Sequence, residues 1–361
     1  MTLSEESEVV GQGPKIDGAP YGLPIAVLRV DLVAAAKIVL PPHAGSTLRG
    51  AFGHALKRTC CLYADQPCEG CVDNLMAAAE GRTPQCAYGY LFETPRPRPS
   101  AINQERGQEV PQPYVLRAAP PTFNSNGVLA PHVVYAPGDI ITFEVLLFGR
   151  ALNLVDRVVE ACAVMARHGL GEGRGAGALS RVQERDPFGT TLRPLPPAPR
   201  REDLTLIADF AEATARVQML PTHALTLRLL TPTQIKYQRG VVRDRPPFAA
   251  LAHALLRRLT TLATFHHDGH VSRDLFAELA HLSESVQCAA WDGTWQRWDR
   301  YSSRQDSHMT FGGLVGAAVY TGDLTPYLPY LVYGQAVHIG KHCTFGDGQL
   351  SIVDGSTSAP T

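Results

Sequence analysis

The sequence predicts an α+β protein made of two tandem βαββαβ domains. A helical pattern that runs into clustered glycines and then into a short strand occurs twice, at residues 168–180 and 334–352. Upstream of each glycine cluster, apolar residues follow strand and helix spacings in a similar order. A chain that repeats such a unit is expected to contain two copies of the ferredoxin-like, RNA-recognition-type plan.

The first domain is predicted over residues 21–185, after a loose tail at residues 1–20. A break that contains Pro41, Pro42 and Gly45 precedes its first helix, which Ser46 or Thr47 is predicted to cap. A cysteine-rich insertion follows that helix at residues 60–90. The strand patterns lie at 23–40, 114–118, 139–148 and 178–184, and the helical patterns at 48–59 and 152–167.

The second domain is predicted over residues 216–354, after a proline-rich linker at 186–215. Its glycine-rich loop spans 334–348, and a short tail follows at 355–361. A helix is predicted before that loop despite two prolines. The strand patterns lie at 224–230, 295–301 and 313–320, and the helical patterns at 248–265, 274–287 and 324–336.

Composition limits the possible functions. The 361 residues suffice for two domains, and with 45% hydrophobic residues a packed core is expected. No apolar run reaches membrane-spanning length and the N-terminus is acidic, so we expect a cytoplasmic protein with no membrane partner. The net charge is −1, yet two stretches, 32–64 and 213–243, contain basic residues and no acid. Charge alone favours a solvated face and a phosphate-binding face about equally.

Eight motifs occur in order along nearly the whole chain. They are LRGAFGHAL (48–56), CAYGYLFE (86–93), GRA (149–151), GLGEGRG (169–175), TPT (231–233), RYSSRQ (300–305), GGLVG (312–316) and HIGKHCTFGDG (338–348). As an ordered set they resemble the CRISPR-associated pre-crRNA-processing endoribonucleases of the RAMP superfamily, in the branch found with type III systems. The resemblance implies two ferredoxin-like domains and a partnership with CRISPR repeat RNA and other CRISPR effector subunits.

The resemblance also implies a metal-independent reaction. The 2′-hydroxyl upstream of the cut attacks the phosphate, leaving a 2′,3′-cyclic phosphate and a 5′-hydroxyl. Such chemistry needs a base, an acid and cations for the developing charge. The alternative reading is a non-catalytic RAMP subunit that binds crRNA in an effector complex.

In this family a histidine on or near the first helix often acts as the base. His54 lies mid-helix and shares one face with Gly50 and Arg58, with Lys57 next to it. Lys57 and Arg58 could then stabilise the phosphate. His43, just before the helix, is the second candidate for the base. Without the resemblance, a solvated helix face would be the preferred interpretation.

Basic residues near the glycine loops are the predicted phosphate contacts, because loop amides form anion-binding nests. Asp347 departs from the family pattern, which has an apolar residue there, and an acid beside bound phosphate is expected to weaken binding. The tryptophans near residues 291–298 could stack bases or form core. The predicted RNA-binding residues are Arg49, Arg174, Lys236, Arg239, Arg300, Arg304, Lys341 and His342.

Cysteines and histidines form two further clusters. Cys61, Cys68, Cys71 and Cys86, with Cys60 as a substitute for Cys61, have a spacing that suits a structural zinc site, although an iron–sulfur cluster has the same ligands. Disulfides are not expected in a cytoplasmic protein. The histidines between 266 and 270 follow a predicted helix, and a surface turn is favoured there over a metal site.

Overall fold

A computed structural model describes residues 22–61, 68, 71, 73, 85–94, 110–120, 132–267, 273–302 and 307–353, and for residues 273, 298–302 and 307–310 only the backbone. It contains two α+β domains with antiparallel sheets. Among the helices in these ranges, none combines the length and the hydropathy that crossing a membrane requires.

The N-terminal domain has a sheet in the order β3-β5-β1-β6-β7, in which β1 pairs antiparallel with both β5 and β6. Ignoring the edge strand β7, this is the strand order of a ferredoxin-like fold. The strands are β1 (Ile25–Ala34), β2 (Ile38–Leu40), β3 (Tyr114–Arg117), β4 (Val133–Tyr135), β5 (Ile140–Phe148), β6 (Gly177–Arg185) and β7 (Leu192–Pro194), and the helices are α1 (Gly45–Cys60), α2 (Ala87–Leu91) and α3 (Val155–His168).

The C-terminal domain repeats the plan with a sheet in the order β11-β12-β8-β13. A short helix, α4 (Phe210–Ala215), precedes it. Its strands are β8 (Ala224–Thr233), β9 (Lys236–Tyr237), β10 (Gly240–Val241), β11 (Gln287–Ser302), β12 (Ser307–Thr321) and β13 (Leu350–Val353), and its helices are α5 (Phe248–His266), α6 (Arg273–Leu282) and α7 (Leu328–Val337). Apart from β7, the strands of the two sheets are arranged in the same order, and this confirms the predicted fold class.

Strand β1 is buried on both faces, which explains its almost unbroken apolar sequence. Ala26, Leu28 and Val30 pack into the core beneath α1 and α3, where Phe52 and Leu56 form part of the apolar face of α1. The alternate residues Ile25 and Val27 join a second core. The apolar residues of α5 and α7 belong to that second core, so a single apolar cluster joins the two domains.

One local prediction, the start of the first helix, is wrong. Helix α1 begins at Gly45 and not near Leu48, its N-cap is Ala44, and no side chain caps it. The predicted Ser46 or Thr47 cap fails because both residues lie inside the first turn. The segment predicted as a linker contains β7, which pairs with β6, and the short helix α4, which a capping box at Asp209 and Glu212 begins.

Candidate functional site

The glycine-rich loop after α7 folds back on the end of β8. The Lys341 amide donates to the Gln234 carbonyl oxygen at 3.0 Å, and the Gly348 amide donates to that of Pro232 at 3.1 Å. The Thr231 hydroxyl donates to the Gly346 carbonyl at 2.8 Å and accepts from the Gln349 amide at 2.9 Å. The TPT motif of the sequence is therefore the anchor of this loop.

Positive backbone φ angles explain why the loop needs glycine. Gly346 and Gly348 have φ angles of +85° and +73°, a region that other residues rarely adopt. A Cβ atom at Gly348 would collide with the Ile339 carbonyl oxygen. The two glycines therefore fix the backbone on both sides of Asp347.

The start of α1 lies directly against this loop. A Cβ atom at Gly45 would collide with the Phe345 carbonyl oxygen, so the glycine permits the close approach of the two backbones. The first amides of a helix have no partner within the helix, and their dipoles attract anions. No acidic residue lies in the first turn of α1 to oppose that attraction. The first turn of α1 therefore lies at the junction of the N-terminal and C-terminal domains.

His43 and Asp347 form a buried pair at this junction. Nε2 of His43 lies 2.7 Å from Oδ1 of Asp347, and the two side chains are 9% and 2% exposed. Nδ1 of His342 lies 3.8 Å from the other carboxylate oxygen. Burial raises the pKa of the Asp347 carboxyl, and the contact with His43 opposes part of that rise. The carboxylate thus lies between two histidines, one from each domain.

His338 supports the glycine-rich loop from the interior of the protein and has no access to solvent. Its Nδ1–H donates to the Asp347 carbonyl oxygen at 3.0 Å. Burial, with the nearby charge of Arg117, lowers the pKa of His338 to about 3. This histidine is therefore neutral and structural.

Arg49 belongs to a stack of planar groups beside the pair. Its guanidinium carbon lies 4.0 Å from the ring centroid of Phe92 and 5.0 Å from that of Phe345. The imidazole of His342 stacks on Phe345 with centroids 5.7 Å apart and planes 3° from parallel. The guanidinium also donates to Gln112 at 3.1 Å. These contacts order a half-buried cation near the start of α1.

Comparisons with known proteins bear on the family and the fold of this chain. Residues 227–350, from β8 to β13, match the family model of the CRISPR-associated endoribonuclease Cas6, and residues 23–202 match a family model described as an N-terminal domain. The C-terminal part of the chain is therefore similar to the Cas6 endoribonuclease family. No curated protein sequence matches it.

Solved Cas6 structures share the fold of this chain. A Cas6 product complex is 17% identical with a TM-score of 0.51, over 92% of this chain and 100% of that chain. Thermus thermophilus Cas6 is 14% identical with a TM-score of 0.50, over 92% and 99%. A partial Cas6-RT-Cas1–Cas2 complex is 12% identical with a TM-score of 0.51, over 95% of this chain and 48% of that chain.

Within this Cas6-type fold, the two candidate histidines lie in different places. His43 lies in the domain junction. His54 is exposed on α1 with Arg58, and Lys57 is half-buried. His54 lies nine residues after the first residue of α1, or about 13 Å along the helix axis at 1.5 Å per residue. His54 is thus exposed to solvent, and of the two candidates the structure groups only His43 with the glycine-rich loop.

The predicted RNA contacts also separate by position. Lys341 and His342 lie in the glycine-rich loop, and Arg49 lies beside it. Lys236 is exposed two residues after Gln234, whose carbonyl holds the Lys341 amide. Two further residues of this set, Arg174 and Arg239, are exposed. The side chains of Arg300 and Arg304 lie outside the described part of the structure.

The cysteine cluster is only partly assembled in the described residues. The Cys71 amide donates to the Cys68 carbonyl oxygen at 3.2 Å, and the Cys86 thiol donates to the Cys60 carbonyl oxygen at 3.4 Å. Burial raises the pKa of Cys68 to about 11. No three His, Cys, Asp or Glu side chains of the described ranges are grouped closely enough to hold a metal ion. The zinc site with Cys61 as its fourth ligand stays a prediction.

His266 contradicts the predicted surface turn. It is 1% exposed at the end of α5, and its Nε2–H donates to the Pro111 carbonyl oxygen at 2.6 Å. Its Nδ1 then accepts from the Tyr90 hydroxyl at 2.9 Å. The prediction fails because α5 packs its end against the first domain, a contact that local sequence does not report.

Proposed function

We propose that this protein is a metal-independent endoribonuclease of the Cas6 type that cuts CRISPR repeat RNA within precursor crRNA. The observation that carries the proposal is the position of His43, which lies at the junction of the two domains, beside the first turn of α1 and the glycine-rich loop. A titratable side chain, a helix N-terminus and nearby cations are the groups that phosphate-ester cleavage needs.

In the proposed reaction, a base takes the proton from the 2′-hydroxyl of the RNA, and that oxygen attacks the adjacent phosphorus. The bond from phosphorus to the 5′-oxygen breaks, and the leaving oxygen receives a proton. The products are a 2′,3′-cyclic phosphate and a 5′-hydroxyl. Because the nucleophile belongs to the RNA itself, the step needs neither a metal-bound water nor a cofactor.

His43 is the histidine that we assign to proton transfer, since imidazole exchanges protons near neutral pH. The amides of the first turn of α1, together with Arg49 and Lys341, are assigned to the phosphate charge. His54, Lys57 and Arg58 lie further along the same helix, where they can contact RNA beyond the cut. His54, the first candidate from the sequence, becomes the alternative base.

Cleavage of repeat RNA in EDTA tests this assignment. Wild-type protein should make one cut per repeat and leave a cyclic phosphate, identified by its resistance to phosphatase until acid treatment. His43→Ala should slow single-turnover cleavage by about 100-fold or more, the usual contribution of general acid–base catalysis. His54→Ala, on the same segment but exposed, is the matched comparison and should have a smaller effect.

The results also separate the alternatives. Cleavage lost in His54→Ala and kept in His43→Ala would move the catalytic role to His54. Cleavage kept in both variants would contradict any role for either histidine. Tight binding of repeat RNA without a cut would favour the alternative function, a non-catalytic RAMP subunit that holds crRNA among other CRISPR proteins.

A structural zinc ion on Cys61, Cys68, Cys71 and Cys86 is proposed separately from the chemistry. Its support is the Cys-X-X-Cys spacing and the turn that joins Cys68 to Cys71. Elemental analysis of purified protein should find one zinc per chain, lost in a Cys68→Ser, Cys71→Ser variant. Iron in place of zinc would indicate a cluster, and absence of both metals would contradict the site.

A further inference from the structure

Asp347 occupies an unusual position for a carboxylate. Its side chain is 2% exposed, although Lys341 in the same loop is exposed. Burying a charged group is costly unless a partner compensates for the lost water. The partner with the shortest distance is His43 of the other domain, at 2.7 Å.

The fold of the loop does not depend on this carboxylate for its backbone contacts. Thr231, Gln234 and Pro232 anchor the backbone, and His338 binds the carbonyl oxygen of Asp347, which any residue would supply. The contribution that is specific to Asp347 is therefore its side chain, which reaches across the domain junction to the imidazole of His43. The sequence-based expectation that this acid weakens RNA binding stays a prediction, and the structure adds that its carboxylate is directed at His43.

We propose that Asp347 is the positioning residue of His43. A neutral imidazole has one N–H donor and one acceptor nitrogen. A carboxylate that accepts from Nε2–H keeps the proton on that atom and makes Nδ1 the nitrogen that takes the proton from RNA. The same contact fixes the plane of the ring, as the aspartate of a Ser-His-Asp triad does for its histidine. This inference rests on the proposed function of His43.

The arrangement makes the histidine depend on both domains. His43 precedes α1 in the first domain, and Asp347 lies between two glycines of the second. His342, 3.8 Å from the second carboxylate oxygen, keeps that oxygen in a polar contact. The tautomer and orientation of His43 are then set by the way the domains pack.

The test uses Asp347→Asn, which keeps the shape of the side chain and removes its charge. Asp186→Asn is the matched control, because Asp186 also lies 2.7 Å from a side-chain nitrogen, that of Arg216, and neither residue belongs to α1 or to the glycine-rich loop. Three quantities are measured for each protein: the dissociation constant for a non-cleavable 2′-deoxy repeat RNA, the single-turnover cleavage rate, and the tautomer of His43 from ¹⁵N–¹H correlation spectra of histidine-labelled protein. His43→Asn assigns the relevant signal among the 13 histidines.

The inference predicts cleavage slower by about 10-fold or more in Asp347→Asn, by analogy with other carboxylate-oriented imidazoles. Its RNA affinity should stay within about 3-fold of wild type, and the spectrum should change from a single Nε2–H form to a mixture. Asp186→Asn should leave all three quantities unchanged. Wild-type cleavage in Asp347→Asn, or a rate loss that matches a loss of affinity, would overturn the inference.

Failure of the proposed function would give a result that differs from failure of the positioning role of Asp347. If wild-type protein binds repeat RNA but does not cut it, the proposed function fails, and the inference fails with it. If Asp347→Asn does not fold, the spectrum of wild-type protein decides: an Nε2–H form supports positioning by Asp347, and an Nδ1–H form overturns it.

Discussion

At the scale of single residues, His266 and His338 are 1% and 0% exposed and make hydrogen bonds as neutral rings. Burial lowers the pKa of His266 to about 4 and that of His338 to about 3. His266 joins α5 to the first domain, so its protonation would bury a positive charge at the contact between the domains. Neither role could be predicted from sequence, because both depend on partners far away in the chain.

These two histidines should make the protein less stable in weak acid. The unfolded chain binds protons near the ordinary histidine pKa of about 6.5, whereas the folded state does not until about pH 4 or below. The contribution of each neutral histidine to the free energy of unfolding is thus complete above about pH 6.5, and it is lost as the pH falls toward 4. For one group, the free energy of unfolding falls by at most about 1.4 kcal/mol per pH unit in that window.

The prediction is checked with His266→Gln, whose amide can still donate to the Pro111 carbonyl oxygen. The slope of unfolding free energy against pH, measured with urea between pH 4.5 and 6.5, should be smaller than in wild type. The other titrating groups are common to both proteins, so the difference reports His266. Equal slopes would show that His266 is accessible to protons in the folded state.

At the scale of elements, the glycines of this chain differ in what they permit. Gly348 has φ +73° and no room for a Cβ atom, while Gly50 lies in α1 with nothing within 4 Å of the position a Cβ would take. The sequence indicated a glycine-rich turn but did not distinguish glycines that the backbone requires from glycines that it tolerates. That distinction depends on φ and on the neighbouring backbone, which a sequence pattern does not contain.

Alanine at these two positions should have opposite effects on stability. Gly50→Ala should stabilise the protein by up to about 1 kcal/mol, because glycine is a poor helix former. Gly348→Ala should destabilise it by more than the roughly 1–2 kcal/mol cost of a left-handed backbone, since the Cβ also collides with Ile339. Thermal unfolding of both variants measures the difference, and a shift of the same sign in both would contradict the structure.

The order of the elements was predictable because long strands and helices carry a clear hydrophobic period, as in β5 and α5. The short strand β7 was missed because its three residues are exposed and an edge strand needs no buried face. The α1 cap was misplaced because the pattern offered two good capping residues, and the helix begins one turn earlier at Gly45. Local patterns thus locate an element better than they locate its ends.

At the scale of the whole molecule, the candidate site is formed by residues far apart in the sequence. His43 and Asp347 are paired through the packing of two domains, which a sequence motif cannot report. The motifs did locate both segments, since one lies just before α1 and the other within the glycine-rich loop. What the motifs missed was the direction of the Asp347 side chain, because it depends on the opposite domain.

The double burial of β1 also has a consequence for how RNA can lie on this protein. RNA-recognition modules of this plan stack bases on an open sheet face. In the first domain one face of β1 is covered by α1 and α3, and in the N-terminal half of the strand the other face is covered by the core that continues into the second domain, so this half is closed to a base. Further along that face Arg29 and Val33 are half-buried, as are Thr226 and Arg228 of β8 in the second domain. The packing of the two domains therefore closes only the first part of the β1 face.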